Sequence, residues 1–190
     1  MIPIIHRVNN QENLDTIPKD YVIEIDVRLN NSNLLLSHDP SSYGEKLSDY
    51  LKKYDHNLLV VNIKEDGIEN DVIDILNNFG IERYFLLDIE NSFLIQNHKN
   101  LGSHLSIRFS KLESINTVKN FKNTVTWLWI DTYEDFDLNE EIASIIQHFK
   151  TCLVSPSRWG YRIGYEHYIN KFKKFDIDID YVMVEKNEIT

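Results

Sequence analysis

The segment YVIEIDVRLNNSNLLLSHDP, residues 21 to 40, sets Glu24 and Asp26 one residue apart inside an apolar run and then delivers His38 and Asp39. Successive side chains of a strand point to opposite faces, so Glu24 and Asp26 share one face while Ile23, Ile25 and Val27 share the other. Two carboxylates buried without partners cost several kcal/mol or more, so a metal ion, basic partners, or water at the end of a sheet must compensate them. An imidazole titrates near neutral pH and can give or take a proton in a reaction. A carboxylate pair with a nearby histidine therefore suits charge stabilisation combined with acid–base work.

Short apolar runs alternate with helical patterns along the chain and supply the elements that must position these groups. The runs cover residues 3–7, 21–27, 58–64, 84–89, 104–109, 126–131, 151–156 and 181–185, and a further short run, 33–38, follows the turn-forming NNSN. Helical spacing appears in YGEKLSDYLKKY, in ENDVIDILNNFG with Gly80 as its stop, and in SKLESINTVKNF, DLNEEIASIIQHF and GYEHYINKFKKF. NQENLDTIP and NSFLIQNHKN read as weaker, shorter helices.

Eight strands alternating with helices predict an α/β fold, a compact (β/α)8 barrel of parallel strands forming one domain over residues 1–190. The chain is shorter than the ~250 residues typical of that barrel, so its helices and loops must be minimal. A doubly wound open sheet is the alternative, weakened by the lack of a glycine-rich phosphate loop after any strand. Polar residues gather at strand ends: His6 and Arg7, Asn62 and Lys64, Asp88, Arg108, Asp131, Ser155 and Glu185. In a barrel that rim carries the active site.

The string of motifs HR at 6–7, EN at 12–13, EIDV at 24–27, SHD at 37–39 and NIK at 62–64 resembles the glycerophosphodiester phosphodiesterase family, one of the phosphatidylinositol-phospholipase-C-like phosphodiesterases. The resemblance spans residues 6 to 64; the later strands agree only in order and number. It implies a (β/α)8 barrel in which His6 and His38 are the general acid and base. Glu24 and Asp26 would bind a divalent cation, Mg²⁺ or Ca²⁺, and Arg7 and Lys64 would hold the phosphate. Three positions depart from the family pattern: Val8 replaces a glycine, Leu14 a threonine, and Asn62 a third acidic metal ligand. An amide oxygen can still bind a hard cation, without charge, and Asp88 is a candidate to compensate.

The residues fit this chemistry on physical grounds as well. Displacement at a phosphodiester spreads negative charge over the phosphoryl oxygens, which a cation with Arg7 and Lys64 would stabilise. Arg108 and Trp129 are further candidate substrate contacts, although WLWID also reads as core packing. The expected partner is a small phosphodiester. A cyclising phosphotransferase on the same scaffold is one alternative, and a degenerate barrel that only binds a phosphorylated ligand is another.

The net charge of −10 argues against non-specific nucleic-acid binding. The single cysteine, Cys152, forms no internal disulfide, and there is neither a signal-peptide pattern nor an apolar run approaching the ~20 residues of a membrane span. The expectation is a soluble cytoplasmic protein, compatible with either a monomer or a dimer. His56, His98, His104, His148 and His167 read as surface or helix residues. The loop SPSRWGYRIGYEHY reads equally as a specificity loop or as ordinary aromatic packing.

Overall fold

The computed structural model describes residues 1–40 and 43–188. The chain falls into two compact units, residues 5–96, and residues 1–4 with 97 onward. In chain order the first unit contains the end of β1 (Ile2–Ile5), α1 (Gln11–Leu14), β2 (Val22–Asn30), β3 (Asn33–Leu36), β4 (Glu45–Lys46), α2 (Leu47–Leu51), β5 (Leu59–Ile63), α3 (Glu69–Asn78), β6 (Tyr84–Leu87) and the start of α4 (Asn91–Leu101).

The central strand of this unit is β2. It pairs in parallel with β5, Asp26 opposite Asn62, and β5 pairs in parallel with β6. Its other edge carries an antiparallel hairpin, β2 to β3 and on to β4. The hairpin loop is Asn31 and Ser32, both at positive φ (46° and 64°), which matches the right-handed twist of the flanking strands. Ile23, Ile25 and Val27 are fully buried on one face of β2, and Glu24 and Asp26 are 0% exposed on the other. A strand covered on both faces is what a parallel α/β sheet requires.

The second unit continues with β7 (Ser106–Phe109), α5 (Ile115–Asn120), β8 (Trp127–Ile130), α6 (Glu140–Ile146), β9 (Lys150–Val154), α7 (Glu166–Lys173) and β10 (Tyr181–Val184). Its strands run in the order β1, β10, β9, β8, β7, with β7 to β10 paired in parallel. Gly102 makes this packing possible: a Cβ there would lie 1.6 Å from the Thr124 carbonyl oxygen. Cys152 and Leu153 of β9 and Phe172 of α7 are fully buried.

All eight expected strands form, and the α/β class with parallel strands and intervening helices holds. Three local readings change. NSFLIQNHKN is part of the eleven-residue α4, whose periodicity is faint because only Phe93 and Leu94 of it are buried. His104 sits in a 3₁₀ turn, Gly102–His104, ahead of β7. His56 is buried, its Nε2 3.2 Å from the Ile17 carbonyl oxygen. Among the described residues no helix is long and apolar enough to cross a membrane.

Because Ile25 backs the strand that carries both carboxylates, Ile25→Ala is expected to cost about 2–5 kcal/mol of stability. Urea unfolding should show this as a lower midpoint at unchanged m-value.

Candidate active site

The inner face of β2 meets polar groups from three directions, all within the unit of residues 5–96. Glu24 Oε2 accepts a hydrogen bond from the Arg7 backbone N–H at 2.7 Å, and Glu24 Oε1 accepts one from Asn62 Nδ2 at 3.0 Å. Arg7 holds a left-handed backbone, φ 55°, in the turn after β1. That conformation costs a non-glycine residue about 1–2 kcal/mol, and here it aims an N–H at a buried carboxylate. Val8 then continues the pairing, its N–H 2.9 Å from the Glu24 carbonyl oxygen. The left-handed residue is thus Arg7, so valine in place of the family's glycine leaves this turn intact.

Asp26 is held on both of its oxygens. Asn9 Nδ2 donates to Asp26 Oδ2 at 2.9 Å, and the Asn9 side-chain oxygen accepts from the Asp26 backbone N–H at 2.8 Å. Lys64 Nζ lies 3.3 Å from Asp26 Oδ1 and 3.7 Å from Asp88 Oδ2, and Arg7 Nε lies 3.9 Å from Asp26 Oδ2. Asp88 also has positive φ, 58°, in the turn after β6.

His38 lies just past β3, in a short segment that is itself tied down. The Ser37 N–H donates to the Asp26 carbonyl oxygen at 3.0 Å, and Ser37 Oγ donates to the Asp39 carbonyl oxygen at 2.9 Å. His38 Nδ1 and Asp39 Oδ1 are 2.7 Å apart. This contact holds the Asp39 carboxyl below its usual range. With Nδ1 donating to the carboxylate, Nε2 is left as the proton acceptor. Arg28, the next residue on the Glu24 and Asp26 face, donates from Nε to the His38 carbonyl oxygen and from Nη1 to the Lys64 carbonyl oxygen, each at 3.0 Å.

A divalent cation fits the donor set of Glu24, Asp26 and Asn62. All three offer oxygen, as Mg²⁺ and Ca²⁺ prefer. Asp26 Oδ1 and Asn62 Oδ1 are buried and accept no hydrogen bond, an unusual state that a cation would relieve. Among the described residues no three His, Cys, Asp or Glu side chains cluster for a metal, so the third donor here has to be the amide. Burial, then the neighbouring Asp26 charge, push the Glu24 carboxyl from 4.5 up to about 7. The Arg7 N–H, the Asn62 amide and Lys64 oppose that rise.

Of the residues singled out in the sequence, Arg7, Glu24, Asp26, Asn62 and Lys64 meet in this one cluster, with Asp88 beside Lys64. His38 stands at its flank, tied in through Ser37 and Arg28, and His6 is half-buried in the turn that carries Arg7. Glu12 is exposed on α1, and the cluster takes Asn9 instead. Arg108 and Trp129 belong to the other unit. There Arg108 Nη1 donates to Asp131 Oδ2, its Nε lies 3.9 Å from Glu113 Oε1, and Trp129 is buried. The loop after β9 forms a 3₁₀ turn, Pro156–Trp159, closed by Gly160, and leaves Trp159, Tyr161 and Ile163 exposed. Sequence reasoning missed Asn9 and Arg28; only the placement of Arg28 two residues after Asp26 hinted at its face.

No family model and no curated protein matches the chain. Solved structures do match its fold. A glycerophosphodiester phosphodiesterase from Agrobacterium tumefaciens aligns with a TM-score of 0.64 at 12% identity, covering 96% of both chains. A glycerophosphoryl diester phosphodiesterase from Parabacteroides distasonis aligns with a TM-score of 0.61 at 11% identity, over 96% of this chain and 81% of that one. The chain therefore shares the fold of these two structures, the fold that the motifs at residues 6 to 64 implied.

The raised Glu24 carboxyl has a consequence for stability. Between 4.5 and about 7 the native chain keeps a proton that the unfolded chain has released. Stability in chelated buffer should therefore fall as pH rises through that window, by about 3 kcal/mol in all. Glu24→Gln should flatten this dependence in urea titrations from pH 4 to 8.

Proposed function

We propose that the chain is a metal-dependent phosphodiesterase that cleaves a small glycerophosphodiester- or sugar-phosphodiester-type substrate, with His6 and His38 as its acid–base pair. The observation that carries this reading is the meeting of Glu24, Asp26, Asn62, Lys64 and the Arg7 backbone on one buried face, where one carboxylate oxygen and one amide oxygen accept no hydrogen bond. The fold shared with two phosphodiesterases of that type supports it. Glu24, Asp26 and Asn62 would hold Mg²⁺ or Ca²⁺, which supplies Lewis-acid stabilisation of phosphoryl charge when bound.

Arg7 and Lys64 bind and orient the phosphodiester, whose single charge suits two cationic side chains. His38, backed by Asp39, takes the proton of an attacking hydroxyl at Nε2. The attacking oxygen forms a bond to phosphorus, the bond to the leaving oxygen breaks, and His6 gives that oxygen a proton. A neighbouring hydroxyl of the substrate is the first attacker, giving a cyclic phosphate that water can then open.

Asn62 favours one second reading, a barrel that keeps the phosphate pocket and binds a phosphorylated ligand without turnover. It is the neutral member of the cation site, and it already donates to Glu24.

A ³¹P NMR survey of small phosphodiesters, with and without Mg²⁺ or Ca²⁺, tests the proposal. Cation-dependent turnover is expected, lowered roughly 10²–10⁴-fold in His6→Ala and in His38→Ala. A product that stays cyclic assigns the chain to the phosphotransferases. Phosphate-ester binding without turnover assigns it to the binding barrels.

A further inference from the structure

We infer that Arg28 is a positioning residue that fixes His38 and Lys64 relative to each other across the central strand, an inference that rests on the phosphodiesterase reading above. β2 is flanked by β3 on one side and β5 on the other, and each flanking strand ends just before a functional residue, β3 before His38 and β5 before Lys64. The last register pair of β2 with β5 is Val27 with Ile63. The Lys64 N–H still reaches the Val27 carbonyl oxygen and the Ser37 N–H the Asp26 carbonyl oxygen, each at 3.0 Å, and past these two bonds the Arg28 side chain joins the neighbours directly.

One guanidinium spans the gap. Its Nε reaches the His38 carbonyl oxygen and its Nη1 the Lys64 carbonyl oxygen, each at 3.0 Å. A planar fork with fixed donor directions sets both the separation and the relative orientation of its two acceptors. The acceptors are the backbone of the proposed base and of the proposed phosphate ligand, so the fork sets the distance between proton acceptor and phosphoryl group. The hydrogen bonds of Arg28 go to these two backbone carbonyl oxygens and not to the cation donors. It works through His38, whose ring is already oriented by Asp39, and through Lys64, whose ammonium faces Asp26. A lysine at position 28 carries the charge and lacks the fork.

A misplacement of about 1 Å in a catalytic group is enough for a hundredfold loss. In the full-length protein, Arg28→Ala is therefore expected to lower kcat by about two orders of magnitude with KM nearly unchanged. A cavity of about 260 Å³ lined by Arg28, Ser37, Asp39 and Glu65 opens beside the side chain. Millimolar guanidinium should enter it and restore part of the Arg28→Ala turnover, while leaving His38→Ala inactive. Arg28→Lys should fold yet stay slow; it replaces Arg28→Ala as the test variant if the alanine protein does not fold. The His38 ring Cε1–H resonance gives a second readout that needs no turnover, and it should move or broaden in either variant. If the wild type turns over no phosphodiester, the functional reading fails while this resonance still decides the role of Arg28. Turnover within about twofold of wild type in both variants, or an unchanged His38 ring signal, overturns the inference.

Discussion

Two carboxylates fully removed from water on one face of β2 are the constraint around which the first unit is organised. Neither Glu24 nor Asp26 has any exposed surface, and burial together with the Asp26 charge raises the cost of ionising Glu24. Everything that meets them is a response to that cost. Arg7 adopts a left-handed backbone so that its N–H can reach Glu24, and Asn9 turns its whole amide onto Asp26. Lys64 brings the positive charge, within 3.3 Å of Asp26. Burying charge this way is weak evidence for stability, because well-packed apolar residues would serve a core better.

The antiparallel hairpin is the second structural consequence. A strictly alternating barrel would send the chain from β2 directly into a helix. Here the chain doubles back through Asn31 and Ser32, so that β3 returns along the edge of β2. The return brings Ser37 to the Asp26 carbonyl oxygen and sets His38 beside the strand that carries the carboxylates. The hairpin thus converts a separation of twelve residues in sequence, Asp26 to His38, into a local contact. A histidine delivered by a strand edge is held more firmly than one on a free loop.

The strands were legible because buried parallel strands read as short apolar runs, and β2, β5, β6, β8, β9 and β10 are such runs. The carboxylate pair was legible for the opposite reason: Glu24 and Asp26 interrupt the run on one face only. α4 was less visible, since only two of its eleven residues are buried and surface composition carries little periodicity. Asn9 and Arg28 were hidden because their roles depend on backbone atoms far away in sequence, the Asp26 N–H and the His38 and Lys64 carbonyls. Backbone partners leave no trace in residue type. His56 reads as a surface or helix residue because the partner of its buried ring, the Ile17 carbonyl oxygen, is a backbone atom distant in the chain.

Asn62 follows from the same electrostatics. A third carboxylate at this position would face Glu24 Oε1 at hydrogen-bond distance in a buried site, like charge against like charge. Such a site would need its cation merely to remain folded and ionised. The amide instead donates to Glu24 and lowers the cost of its charge, while its own oxygen stays available. Glu24, Asp26 and Asp88 face Arg7 and Lys64 here, which leaves one net negative charge before any cation enters. A divalent ion added to that set would make the pocket net positive, whereas a further carboxylate in place of Asn62 would leave it neutral. An anionic phosphodiester would be better received by the first arrangement than by the second, with a cation held less tightly in exchange.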